Sequence, residues 1–159
     1  MTDIRVGHAY DVHRRSDDPA RRLVLGGVTF DGEPGLEGHS DADVVAHVCA
    51  DALLAAAGLD DLGQHFPDTD DAYAGADSIE LLGRVAQMVR DAGWEPSNVD
   101  CTVVCDRPKL APARERMHDE LSRAVGAPVT VKGRTTEGVG ALGRGEAIAA
   151  WAVALVVAP

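Results

Sequence analysis

The twelve residues Ala147–Ala158 carry no charge, and they limit the fold more than any other stretch. The run is too short to cross a bilayer, which takes ~20 apolar residues. It is therefore a buried element and not an anchor. The Gly-rich segment before it offers no helix cap, so the run is expected to be a strand buried on both faces.

The rest of the chain divides by period. Ile4 to His13 reads as a strand ending in polar residues, and Leu23 to Phe30, with Gly26-Gly27 inside it, as a short hairpin. Ser40 is expected to cap a helix running to Gly58. Asp41 and Asp43 suit its first turn, and Val44, Val45, Val48, Ala52 and Leu53 recur at helical spacing. Asp60 to Asp77 has no period and reads as a long loop. Ser78 is expected to cap a second helix, ended by Gly93. Val99 to Cys105 and Val129 to Lys132 read as strands, Pro112 to Val125 as a surface helix closed by Gly126, and Thr135 to Gly145 as loop. This order predicts one α+β domain over residues 1–159, a two-layer sandwich with a mixed sheet and helices on one face.

Hydrophobic residues make up 45% of the chain but aromatics only 4%. A core rich in Ala buries little area per residue, so oligomerisation is an expected source of further burial. The net charge of −11 argues against nucleic acid as a partner. An anionic small substrate would need metals, Lys and Arg to reverse the local sign. Cys49, Cys101 and Cys105 form no CxxC pair and are odd in number, which suits reduced thiols in the cytoplasm. Met1 to His8 has no apolar run, so no signal peptide is expected, and no membrane association.

Five groups of residues could carry chemistry. Asp11 and His13 are i and i+2 on a strand, so their side chains share a face. In His39-Ser40-Asp41-Ala42-Asp43-Val44-Val45-Ala46-His47, the residues Asp43, His47 and Asp51 form a helical stripe. One more imidazole beside Asp11 and His13 makes a three-ligand metal site with an open position. Spacing leaves His39 and His47 in competition for that place. It does not separate zinc from manganese or iron. Asp61 to Asp70 places Phe66-Pro67 among acids, which suggests a loop folded onto something specific. Arg107-Pro108-Lys109 offers a cation on a fixed turn. Lys132 to Glu146 contains a literal GxGxxG at Gly138, Gly140 and Gly143, but no helix and acid follow at the distance a dinucleotide fold needs. It reads better as a backbone-rich loop able to cradle phosphate, with Glu137 available to a hard cation.

Gly7-His8-Ala9-Tyr10-Asp11-Val12-His13, His39-Ser40-Asp41-Ala42-Asp43, Phe66-Pro67-Asp68-Thr69-Asp70, Pro108-Lys109, Thr135-Thr136-Glu137 and Gly143-Arg144-Gly145-Glu146 occur in this order. The set resembles the 2-C-methyl-D-erythritol 2,4-cyclodiphosphate synthase family of the non-mevalonate isoprenoid pathway, across essentially the whole chain. The resemblance implies a homotrimer with active sites between subunits. It implies a cytidine diphosphate substrate, 4-diphosphocytidyl-2-C-methyl-D-erythritol 2-phosphate, which cyclises with release of CMP. It assigns Asp11, His13 and His47 to Zn²⁺, and Glu137 to Mg²⁺ or Mn²⁺ at the diphosphate. It gives His39 and Thr135 the stabilisation of the transition state. Ser40, Asp61, Leu62, Gly63, Phe66, Pro67, Asp68, Thr69 and Asp70 correspond to the methylerythritol and phosphate pocket. Cys105, Asp106, Arg107, Pro108, Lys109, Leu110 and Ala111, with Arg134, Thr135 and Thr136, correspond to the cytidine side, supplied by a neighbouring subunit. Arg144 would meet the phosphates, and Val12 and Ala141 match further substrate-contact positions. Arg134 stands where the family usually has Thr, and Ala141 where an aromatic is common. These departures bear on the nucleotide and on the trimer's central cavity. Two other readings use the same residues: a zinc phosphoesterase giving linear products, and a trimeric scaffold in which the histidines are structural.

Overall fold

The computed structural model describes residues 3–159, so Met1 and Thr2 of the N-terminal segment lie outside it. The elements run β1 (Ile4–Arg14), β2 (Arg22–Leu25), β3 (Val28–Pro34), α1 (Val44–Ala57), α2 (Leu62–His65), a 3₁₀ turn (Asp71–Tyr73), α3 (Ser78–Asp91), β4 (Glu95–Val104), α4 (Arg114–Val125), β5 (Val129–Arg134), α5 (Gly140–Gly143) and β6 (Ala147–Val157). The main sheet has the order β1-β6-β4-β5. Its β4–β5 pair is parallel and its other pairs are antiparallel, so the expected mixed sheet is present. β2 and β3 form a separate hairpin. Gly26 and Gly27 both take positive φ at its turn, which two-residue hairpin turns require.

α1 is apolar on nearly every side because it is covered on nearly every side. It packs on β1, β6 and β4 and carries α3 on its outer flank. At Gly7 the approach is so close that a Cβ would stand 2.0 Å from the Ala52 carbonyl oxygen. α3 buries Ile79, Leu82, Val85, Ala86 and Val89, the stripe its spacing predicts.

The expected burial of the Ala147–Ala158 run on both faces holds for one face within a single chain. Ile148, Ala150, Ala152, Ala154 and Val156 are fully or almost fully buried under α1, whereas Trp151 and Val153 are exposed on the far side. Ile4, Val6, Tyr10 and Val12 of β1 are exposed as well. Tyr10 faces Trp151 across the β1–β6 ladder with ring centroids 4.8 Å apart. The run is apolar on both faces, but the helices cover only one.

Three expectations need correction. The cap of α1 is Asp43, not Ser40: its carboxylate takes the amides of Val45 and Ala46, and Ser40 instead closes a turn on the amide of Ala42. The cap of α3 is Asp77, whose carboxylate takes the amide of Ile79, and the hydroxyl of Ser78 turns inward. The loop Asp60–Asp77 contains α2 and the 3₁₀ turn, each started by an aspartate, Asp61 and Asp70. Short Asp-capped turns leave no periodic trace in a sequence.

Candidate metal centre and active site

β1 and α1 meet at the polar end of the sheet. Asp11 and His13 lean toward α1 from alternate positions of β1, and His47 reaches them from the first turn of α1. The Asp11 carboxylate stands 3.0 Å from His13 Nε2 and 3.6 Å from His47 Nδ1. The two imidazole nitrogens are 3.3 Å apart. One carboxylate oxygen and one nitrogen from each ring all lie within 4.8 Å of one another. Of the two competing histidines, His47 joins the cluster, and His39 bonds the Asp70 carbonyl.

The electrostatics follow from this packing. Burial pushes the Asp11 carboxyl upward, but the hydrogen bonds and charge of His13 and His47 outweigh it and hold the group well below the usual carboxylate range. Burial pushes His13 downward, and Asp11 with the Glu37 carbonyl overcomes it, so His13 sits above the ordinary histidine value. His13 Nδ1 lies 2.7 Å from the Glu37 carbonyl, which only accepts. Nδ1 therefore donates to that carbonyl, which leaves Nε2 as the atom that would offer its lone pair to a metal. A carboxylate and two imidazoles converging on one point, with no fourth protein ligand among the described residues, suit a divalent metal with an open coordination position.

A cavity of about 220 Å³ opens beside the cluster, lined by His13, Gly38, His39, Ser40, His47, Leu62, Phe66, Asp68, Tyr73 and Leu81. His39 Nε2 donates to the Asp70 carbonyl at 2.8 Å, and Phe66 meets Tyr73 edge-on. The loop predicted to fold onto something specific thus lines, through Leu62, Phe66, Asp68 and Tyr73, the cavity beside the Asp11–His13–His47 cluster. Asp61, Gly63, Pro67, Thr69 and Asp70 belong to the same loop but do not line this cavity.

The other expected contacts gather elsewhere. A second cavity of about 240 Å³ is lined by Cys105, Asp106, Pro108, Lys109, Leu110, Ala111, Arg114, Gly133, Arg134 and Thr135. The two cavities share no residue. The Asp106 carboxylate accepts the amides of Thr136 and Gly138, both at 2.7 Å, and so shapes the loop bearing Thr135. Thr135 donates to Glu137 at 2.6 Å, and Glu137 has a φ of 54, a left-handed conformation that costs a non-glycine residue energy. Arg144 pairs with Glu146 at 2.7 Å. Arg107, Val12 and Ala141 line neither cavity.

Sequence reasoning missed Ser78 and Asp41 as parts of the site. Ser78 Oγ lies 2.9 Å from His47 Nε2 and donates to Asp41. Both residues read as helix-start residues, which hid their inward direction.

The YgbB family model matches residues 4–157. The 2-C-methyl-D-erythritol 2,4-cyclodiphosphate synthase of Thiobacillus denitrificans is 51% identical over 159 residues, covering 98% of each chain. The bifunctional IspDF from Campylobacter jejuni superposes with a TM-score of 0.94 at 36% identity; it matches 100% of this chain, which spans 43% of that longer one. A CDP complex of IspF from Plasmodium falciparum gives a TM-score of 0.83 at 29% identity, with 98% of this chain and 96% of that one covered.

Proposed function

The chain belongs to the YgbB family, and we propose that it converts 4-diphosphocytidyl-2-C-methyl-D-erythritol 2-phosphate to 2-C-methyl-D-erythritol 2,4-cyclodiphosphate and CMP. The observation that carries this reading is the convergence of Asp11, His13 and His47 beside a cavity that also holds His39, Ser40 and Phe66.

The reaction is an attack of the 2-phosphate on the β-phosphorus of the diphosphate, with CMP as leaving group. Two like unit charges ~4 Å apart repel by about 4 kcal/mol at an effective dielectric of 20. Zn²⁺ on Asp11, His13 and His47, with Mg²⁺ or Mn²⁺ near Glu137, would supply Lewis-acid chemistry and the positive charge that an acidic protein lacks. The attacking phosphate is already nucleophilic, so the chain's task is to position and to stabilise developing charge. The Nε2–H of His39, now donated to a loop carbonyl, is a ready donor to a phosphate oxygen. Thr135 takes the same role from the other half-site, with Arg144 as counter-charge. Cys105 to Ala111, Arg134 and Thr136 hold the cytidine. A cytidine ligand is supported by the CDP bound in the Plasmodium falciparum relative.

The chain works as a homotrimer in the cytoplasm, with each active site between neighbours. Two observations support this assembly. The second cavity, with its Lys109 and Arg134, is separate from the metal cavity within one chain. The exposed apolar sheet face of Val6, Tyr10, Val12, Trp151 and Val153 is a surface that another copy would bury.

Phosphorus NMR of the protein with the diphosphocytidyl substrate tests the activity. A cyclic diphosphate plus CMP, abolished by chelator, is the expected result. Linear phosphate products would sink the reading and favour a zinc phosphoesterase.

A further inference from the structure

The hydroxyl of Ser78 is fully used in a way that a helix cap would not require. Asp77 already caps α3, and Ser78 is 1% exposed. Its single proton goes to the Asp41 carboxylate, which can only accept. Toward His47 the Ser78 oxygen must therefore accept, and the proton on that 2.9 Å contact belongs to His47 Nε2; Ser40 Oγ also faces Nε2 at 3.1 Å and has Ser78 Oγ, 3.2 Å away, as an acceptor for its own proton. A neutral imidazole protonated at Nε2 has its lone pair at Nδ1, the atom that faces Asp11 and His13. The Asp41 carboxylate also takes the amide of Ser78 at 3.3 Å and that of Asp43 at 3.2 Å, so it is held from two sides.

We infer that Asp41 and Ser78 are positioning residues for the metal centre: a carboxylate–hydroxyl relay that selects the tautomer and ring orientation of His47. This rests on the proposed role of Asp11, His13 and His47 as metal ligands. The two histidines thus take opposite tautomers, set by different means, and each turns its other ring nitrogen to the cluster. His13 is set by the carbonyl of Glu37, and His47 by a side-chain relay that spans α3 and the approach to α1. Outer partners of this kind contribute ~10–100-fold to metal affinity.

The test titrates Zn²⁺ against a chromophoric chelator in the intact protein and in Ser78→Ala, Ser78→Thr, Asp41→Asn and Asp11→Ala. Long-range ¹H–¹⁵N correlation of the metal-free proteins reads the histidine tautomers. The relay predicts about 10–100-fold weaker Zn²⁺ binding in Ser78→Ala, recovery in Ser78→Thr, and loss of the pure Nε2–H tautomer of His47. Unchanged affinity together with an unchanged tautomer in Ser78→Ala would overturn it. Should Ser78→Ala not fold, Asp41→Asn decides by the same two readouts. If the unaltered protein binds Zn²⁺ no better than Asp11→Ala, the metal reading itself falls, a result distinct from failure of the relay.

Discussion

The carboxylate of Asp43 accepts the amide of Gly26 at 2.8 Å, tying the entrance of α1 to the turn between β2 and β3. The same carboxylate takes the amides of Gly27 at 2.7 Å, Val45 at 3.0 Å and Ala46 at 3.2 Å. Asp43 is fully buried, and its bonds to Gly26, Val45 and Ala46 are buried with it, so those three donors have no water as a substitute. Asp43→Ala would strand them and is expected to cost about 3 kcal/mol or more, from a lost cap plus unsatisfied buried donors. Urea unfolding of the two proteins measures it; a loss under about 1 kcal/mol would show that the turn and the helix entrance re-pair without this carboxylate.

His47→Ala removes one candidate ligand, a mostly buried ring that packs between β1 and Ser78 and leaves the apolar contacts of α1 in place. Zn²⁺ affinity should fall by at least about 100-fold and turnover with it, since three-ligand sites have none to spare. The circular dichroism spectrum and sedimentation coefficient should stay those of the intact protein. Loss of assembly in their place would favour the scaffold reading.

Metal binding should weaken in mild acid. His13 is held above the ordinary histidine value, so its protonated form persists to higher pH than usual. In the proposed site the neutral ring would be the ligand, so affinity is full well above that pKa and falls as the pH drops through it. Asp11, held far below the usual carboxylate range, stays ionised throughout. Zn²⁺ affinity measured from pH 8 to pH 6 should fall by up to about tenfold per unit for each competing proton. A flat profile would contradict the raised value of His13.

Gly7→Ala should be among the most damaging single changes in the sheet. The new methyl would meet the Ala52 carbonyl at 2.0 Å and the Ala56 amide nitrogen at 2.4 Å, backbone atoms that cannot swing aside. A cost of about 3 kcal/mol or more is expected, with the site distorted because Asp11 and His13 stand on β1 and His47 on α1. Thermal unfolding and Zn²⁺ titration of this variant report the two effects.

Cys105 lines the second cavity, yet it should be a poor target for alkylation. Burial pushes its thiol up to about 11, and it donates to the Pro108 carbonyl. At pH 8 only about one molecule in a thousand would carry the thiolate. Iodoacetamide labelling of the native protein, read by mass spectrometry, should leave Cys105 unmodified at pH 8. Rapid labelling there would mean that the Arg107–Leu110 turn opens.

Much of the fold is legible in the residues because period follows from burial. The stripe from Ile79 to Val89 predicts α3, and those residues are the ones it buries. The places where the reading slipped are places where one side chain had two uses. Ser40 and Ser78 both look like helix caps, and an adjacent aspartate does that work in each case. Local preference cannot tell which of two neighbouring oxygens faces an amide and which faces the interior.

The sequence by itself determined that Asp11 and His13 share a face, because a strand has a period of two. It also marked Ala147–Ala158 as an apolar strand, of which the helices of one chain cover a single face. The choice of His47 over His39 as their companion was a tertiary decision. It depended on α1 packing onto β1 at Gly7, a contact between residues far apart in the chain that no local spacing encodes. The direction of Ser78 was decided in the same way, since only the docking of α3 against α1 brings Asp41, Ser78 and His47 within hydrogen-bond reach.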